Sequence, residues 1–325
     1  MDYAFCLRPH ENALYQQAEC LLSLRELTCA LYRCGETSPI VLREIGGAPF
    51  LCFSLAGELP PDLMTLSALY FAARAEGGAL VPLDAARASF VPRHMPQVLK
   101  YKGKTNATFT ALLIHLARCA MMGEGTAPLT LLDPLAGRGT SLYEALVEGM
   151  NAVGVEQDAA ALKECAGFAE RFFSRERVPY KKKNASRTLG GGKAAPETTY
   201  LVGGGGDTRT MTLLKADTRD TVPALKAHSA DLLVADLPYG VQHAPRAGGG
   251  ITKIEELLRD ALPKYHAALV PGGGAALSFN TLTLERPVLA GLMEQAGFTV
   301  LEEPFTGFKH RVEQAVERDI VVARA

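Results

Sequence analysis

The sequence predicts an α/β protein: a Rossmann-like, mostly parallel sheet with an antiparallel last strand, preceded by a small α/β N-terminal domain. Three observations carry this. From Leu129 onward, short apolar strand-type runs alternate with helical segments, the pattern of a parallel sheet covered on both faces. Acids or a glycine loop follow these runs, where ligands of such sheets bind. The first 95 residues break the rhythm with a helix followed by two strand-like runs around a Gly-Gly turn. A chain of 325 residues suits about two domains, assigned as 1–95 and 96–325.

The elements follow in order. "YAFCLRP" reads as a strand. "NALYQQAECLLSLRELTCALYR" has a helical apolar period that places Leu14, Leu21, Leu24, Leu27 and Leu31 near one face. "IVLREIGGAPFLCFSL" reads as two strands turning at Gly46-Gly47. A basic connector, residues 93–104, carries Arg93, Lys100, Lys102 and Lys104. "TFTALLIHLARCAMM" is then a helix, and His115 within its apolar run reads as a core histidine. "LTLLDP", "AVGVEQ", "MTLLKAD", "ADLLVAD" and "GAALSFN" are five strands, with helices "TSLYEALVEGM" and "DAAALKECAGFAERFF" after the first two, Asp158 capping the latter. "ERPVLAGLMEQAG" is a helix ending at Gly297, and "TVLEEPF" and "DIVVARA" close the chain as strands. Residues 174–208 interrupt the alternation. They are rich in glycine and lysine and read as a flexible insertion. Its cations, Arg175, Arg177, Lys181, Lys182, Lys183 and Arg187, suit either a phosphate grip or a solvated loop.

Composition narrows the function classes. Hydrophobic residues make up 48% of the chain, enough for a real core. A net charge of −1 excludes a uniformly basic nucleic-acid coat and leaves room for a local basic patch. Seven cysteines without a CxxC pair read as reduced thiols of a cytoplasmic protein, with no metal site. The N-terminus lacks the order of a signal peptide, and no apolar run approaches the roughly 18 residues of a membrane span.

The candidate chemistry sits after the strands. In "DPLAGRGT", Asp133 to Thr140, Gly137 and Gly139 let the backbone turn tightly and approach a ligand, and Thr140 opens a helix. Alone, this is equally a tight strand–helix turn. Glu156 follows the second strand 23 residues after Asp133, where a carboxylate accepts ribose hydroxyls. Asp217 follows the third strand, placed to accept from an adenine amino group. Asp236 ends the fourth and opens "DLPYG". Pro238 fixes its own φ and presses Leu237 towards extended geometry, setting the Leu237 carbonyl beside the Asp236 carboxylate. Two adjacent acceptors match the two N–H groups of a planar amine, and Tyr239 offers a stacking face. In isolation the same stretch reads as a turn with a buried tyrosine.

"DPLAGRGT", "GVEQD", "KAD" and "DLPYG", in this order, resemble class I methyltransferases that use S-adenosylmethionine. The DLPYG form is most similar to the THUMP-linked tRNA guanine-N2 methyltransferase family, and "KGKTNATF" matches that family's additional cofactor-contacting segment. The resemblance spans about residues 95 to 325. It implies that Asp133, Gly137, Gly139 and Thr140 hold the methionine part of S-adenosylmethionine and that Thr105, Asn106 and Phe109 close over it. It implies Glu156 on the ribose, Asp217 on the adenine, and Asp236, Leu237, Pro238 and Tyr239 as the catalytic group presenting and stacking the amine. Two features depart from the family. Arg138 stands where a small residue is common, and some 95 N-terminal residues are fewer than a full THUMP module with its companion domain. The expected function is methylation of an exocyclic amine in RNA, foremost guanine N2 in tRNA, with RNA gripped by residues 93–104 and 174–208. Adenine-N6 methylation, protein glutamine methylation and a non-catalytic RNA-binding scaffold are the alternatives.

Overall fold

The structure is a computed structural model that describes residues 1–83, 89–99, 104–125, 128–189, 192, 194–221, 227–238, 246–247, 250–251 and 254–325. Lys100, Lys102 and Tyr239, singled out above, lie outside the described residues.

The N-terminal unit is an antiparallel sheet carrying one long helix. Its elements are β1 (Asp2–Leu7), α1 (Ala13–Arg33), β2 (Val41–Ile45), β3 (Ala48–Ser54), β4 (Leu69–Glu76) and β5 (Ala79–Pro82), with strand order β2-β3-β1-β4-β5. Gly46 and Gly47 both have positive φ, 60° and 79°, so a two-residue turn joins β2 and β3 as its Gly-Gly signature requires. Strand alternation sends Tyr3, Phe5 and Leu7 into the main core and Ala4 and Cys6 into a small cluster with Phe50. Helix α1 starts where the Asn12 side chain accepts from the Leu14 and Tyr15 amides. Its buried face differs from the leucine stripe expected above. Cys20, Ser23, Glu26, Leu27, Cys29, Ala30 and Leu31 are buried, while Leu14 is 78% and Leu21 57% exposed. The helix is wedged against two partners, its own sheet and a helix of the second unit, and that pair of contacts selects the face.

Two helices follow, α2 (Met95–Val98) and α3 (Ala107–Ala120), then β6 (Thr130–Asp133), α4 (Thr140–Val147), β7 (Asn151–Glu156) and α5 (Ala159–Arg175). Next come β8 (Tyr180–Thr188), β9 (Ala194–Gly204), β10 (Asp207–Lys215), α6 (Thr218–Thr221) and β11 (Ala230–Asp236). A short hairpin, β12 (Arg246–Ala247) and β13 (Gly250–Ile251), precedes α7 (Ile254–Ala268), β14 (Leu269–Asn280), α8 (Arg286–Gln295), β15 (Thr299–Val300), β16 (His310–Glu313) and β17 (Val316–Arg324).

The main sheet runs β15-β17-β14-β11-β6-β7-β10-β9-β8, with β16 added to β17. Strands β14, β11, β6, β7 and β10 are parallel and β17 is antiparallel to β14. Successive residues of each strand serve opposite layers. Leu131, Ala152, Leu213, Val234 and Ala276 pack under α3, α4 and α5, and Leu132, Val155, Leu214, Leu233 and Leu277 pack under α7 and α8. The first layer is continuous with the core of the N-terminal unit, through Leu27, Ala30 and Leu31. At Gly274 of β14 an added Cβ would collide with the backbone of Ala117, so α3 lies directly on the sheet there.

Within the stretch 174–208, expected as a flexible insertion, Tyr180–Thr188 and Ala194–Gly204 are instead β8 and β9, which extend the sheet antiparallel beyond β10. The physical reason is visible in β9. Tyr200 and Val202 alternate inward onto α5, and the Tyr200 hydroxyl donates to Glu170 at 2.7 Å. Strand β8 is exposed along nearly its whole length, so it shows no apolar period. Of the expected strand "TVLEEPF", only Thr299–Val300 pairs. No helix among the described residues is long and apolar enough to cross a membrane.

Candidate functional site

The C-terminal ends of β6, β7, β10 and β11 form one rim, and the sequence places an acid at or just past each. Asp133 ends β6 and is 6% exposed. Its carboxylate accepts from the Leu135 amide at 2.9 Å and from the Ser141 hydroxyl, which closes the loop onto the start of α4. Burial pushes Asp133 up to about 7. The two donors pull the other way, and the nearby Glu156 and Asp236 charges add to the rise.

The two glycines of this loop serve different purposes. Gly137 has φ 51°, and a Cβ there would meet nothing within 4 Å, so it faces open space. Gly139 has φ 85° at the N-cap of α4, and a Cβ there would strike Cys165 Sγ and the Tyr143 ring. Gly139 therefore lets α4 close against α5, while Gly137 keeps the rim open. Thr140 follows as the first residue of α4 and is buried.

Glu156 ends β7 and accepts from the Gly137 amide at 2.9 Å and the Asp158 amide at 2.8 Å. Burial raises its pKa despite those donors. Asp158 caps α5 by accepting from the Ala160 amide. Arg138 pairs with Glu164 of α5, which is the extra polar contact that its size provides. Asp217 lies two residues past β10 and is chelated by Arg219, Nε to Oδ1 at 2.9 Å and Nη2 to Oδ2 at 2.7 Å. Burial alone would raise its pKa, but the Arg219 guanidinium and amide outweigh it and hold the carboxyl below its usual value.

Asp236 is the most elaborately held of the four. Ser278 Oγ donates to Oδ1 at 2.9 Å, Thr105 Oγ1 donates to Oδ2 at 2.5 Å, and Arg318 Nη2 lies 3.7 Å from Oδ2. Leu237 buries its side chain and donates its amide to the Ser278 carbonyl at 2.8 Å, fixing the direction in which the chain leaves β11. Pro238 follows, half-buried. Asn106 caps α3 by accepting from the Thr108 amide, and that cap brings Thr105 to Asp236. Phe109, one turn into α3, is 6% exposed and lies between the Arg318 guanidinium, 4.4 Å from its centroid, and the His310 ring at 5.4 Å. Thr105 and Phe109 thus sit on the Asp236 side of the rim.

Sequence reasoning missed Ser278, Arg318, His310 and Arg219. Ser278 had a signal, being a hydroxyl inside the buried run "GAALSFN". Arg318 and His310 are brought in by β17 and β16, remote in sequence from β11, and nothing local marks them.

The cations expected to grip a polyanion divide unevenly. Arg93 faces Glu148 at 3.8 Å, and Lys104 donates inward to the Pro96 carbonyl. Lys182 pairs with Glu170, Arg187 with Glu197 and Arg175 with Glu176. Lys181 and Lys183 are exposed and project from one face of β8.

No family model and no curated protein matches the chain. Among solved structures it is similar to TrmN from Thermus thermophilus, at 19% identity and TM-score 0.42, over 88% of this chain and 59% of that one. It is similar to the 16S rRNA N2 methyltransferase RsmC of T. thermophilus, solved with AdoMet and guanosine, at 16% identity and TM-score 0.39, over 89% and 58%. The rRNA methyltransferase aviRa from Streptomyces viridochromogenes matches at 15% identity and TM-score 0.42, over 74% and 94%. The chain spans less than two thirds of the first and second of these proteins.

Proposed function

We propose that the chain is an S-adenosylmethionine-dependent methyltransferase of an exocyclic amine in RNA, with guanine N2 in tRNA as its target. In this reading residues 96–325 form the catalytic unit. The observation that carries it is the anchoring of Asp236 at the end of β11, on the same rim as the open Gly137 turn and the acids Asp133 and Glu156.

The residues present fit the cofactor. A Cβ-free turn facing open space receives a ligand backbone closely, a buried carboxylate at Asp133 suits an ammonium, and Glu156 suits ribose hydroxyls. Gly139 and Thr140 would shape that cradle, and Asp217, oriented by Arg219, would meet the adenine end. When bound, S-adenosylmethionine supplies an electrophilic methyl group on a sulfonium. The protein's task is then positional and electrostatic. The Asp236 carboxylate and the Leu237 carbonyl accept the two N–H groups of the amine and orient its lone pair. Thr105, Ser278 and Arg318 keep the carboxylate from turning away. The Asp236 charge would lie beside the positive charge that methylation places on the nitrogen, and the nitrogen's surplus proton would leave to solvent. Tyr239 would stack on the base.

The test is mass spectrometry of nucleosides from total tRNA incubated with the protein and methyl-labelled S-adenosylmethionine. Label in N2-methylguanosine supports the proposal. Label in N6-methyladenosine alone moves the target base, and no labelled nucleoside removes tRNA from the reading.

A further inference from the structure

Helix α1 carries a second stripe that its own core does not use. Leu14, Ala18, Leu21 and Arg25 follow at helical spacing, with Tyr15 alongside. Leu14, Tyr15 and Leu21 are 78%, 55% and 57% exposed. The stripe borders a groove of about 380 Å³, whose other wall is Gly307, Lys309 and His310 on the approach to β16. That volume is in the range of small-ligand sites, which begin at about 300 Å³.

Three buried side-chain contacts link the groove's His310 wall to the candidate rim. His310 stacks towards Phe109, Phe109 lies under Arg318, and Arg318 lies 3.7 Å from Asp236. The groove's polar rim is cationic. Arg25 and Lys309 have carboxylate partners, Glu303 at 3.4 Å and Glu317 at 2.8 Å, but both pairs are solvent-facing. Exposed ion pairs are weak because water and salt screen them, so a phosphate competes with those partners at little cost. An apolar floor beside cations, with the His310 ring at one end, suits a base and its phosphate.

We propose that this groove binds the RNA nucleotide adjoining the methylated base, so that α1 of the N-terminal unit completes the substrate site. The proposal rests on the reading of Asp236 as the amine-holding group. It gives the exposed leucines of α1 a purpose. Leu21 takes the base face, Arg25 and Lys309 take the phosphates, and His310 sets the step from the groove to the Asp236 side. Burial holds the His310 imidazole below its usual pKa, which keeps a neutral ring at that step.

The test uses the full chain with a fluorescein-labelled single-stranded RNA of mixed sequence for binding and total tRNA as methyl acceptor. Affinity is read by anisotropy, S-adenosylmethionine affinity by calorimetry, and kcat and KM by label transfer. Leu21→Asp and Lys309→Glu change exposed side chains and leave the fold intact. Each is expected to weaken RNA binding about tenfold, which is about 1.4 kcal/mol, and to raise KM by a similar factor. Cofactor affinity is expected to stay unchanged, and Leu21→Phe to retain wild-type binding. Unchanged RNA affinity and KM in both charged variants would overturn the groove, as would a wild-type dimer that Leu21→Asp converts to monomer. If the wild type methylates no RNA but Leu21→Asp still lowers RNA affinity, the groove stands and the methylation reading falls. If RNA is methylated with KM unaffected, the reverse holds.

Discussion

Single residues decide the chemistry through their partners. Asp236 has donors on two sides, Ser278 and Thr105, and a cation behind. Asp236→Ala is expected to lower kcat by roughly 10²–10³-fold, the cost of deleting one preorganised electrostatic partner, with S-adenosylmethionine affinity within about twofold of wild type. Rapid-quench transfer and calorimetry check the two halves. An equal loss of cofactor affinity would move Asp236 out of the amine-holding role. Asp133 makes a pH prediction. Burial raises its folded pKa to about 7, above the unfolded carboxylate value of about 3.9. The stability that this shift contributes to the ligand-free chain is present below about pH 4 and lost as pH rises through about 7. Binding of an ammonium favours the ionised form, so cofactor affinity is expected to rise from about pH 6 to 8 and then level off. Asp133→Asn should flatten that rise in a calorimetric pH series.

At the scale of elements, the junction of α1 and α3 is the most informative contact. Glu26 is fully buried and accepts from His115 Nδ1 at 2.7 Å, from the Ser67 amide at 2.9 Å and from the Ser67 hydroxyl at 2.7 Å. His115 Nε2 faces Thr65 Oγ1 at 3.0 Å. Burial works against the charged imidazole, but Cys119 one turn on and the Glu26 carboxylate prevail and raise it to about 10. The raised value contributes stability that is complete below about pH 6.5 and lost as pH rises through about 10. His115→Ala leaves a buried carboxylate without its cation and is expected to cost about 3–5 kcal/mol in urea unfolding at pH 7. Adding Glu26→Ala to it should recover part of the loss. Additive losses would show that the two residues do not act as a pair.

At the scale of the whole molecule, the hairpin β8–β9 places its lysines away from the rim. Lys183 pairs with Thr199, and Thr199 with Thr212, three residues below Lys215, which lies opposite Glu156. Lys183 is therefore about 10 Å below the candidate site along the strand direction, and Lys181, level with Thr210, about 17 Å. They suit a distal part of an RNA. Lys181→Glu with Lys183→Glu is expected to weaken RNA binding and to reduce the slope of log affinity against log salt by about 0.7 for each lost contact. Filter binding at several salt concentrations reads that slope. An unchanged slope would mean that the lysines only solvate the sheet edge.

The sequence by itself determined the alternation of strands and helices, the Gly46-Gly47 turn, and the acids that follow four strands. Each of these is written in consecutive residues, by apolar period, by backbone freedom or by the end of a run. Tertiary structure alone decided the face that α1 buries, because two partners compete for it and its leucines do not announce which wins. It also decided the fate of residues 174–208, since a polar edge strand has no apolar period until Tyr200 and Val202 find α5. Above all it decided what surrounds Asp236. Thr105, Ser278 and Arg318 stand 131, 42 and 82 positions away along the chain, and only the closing of α3, β14 and β17 around the end of β11 brings them to one carboxylate.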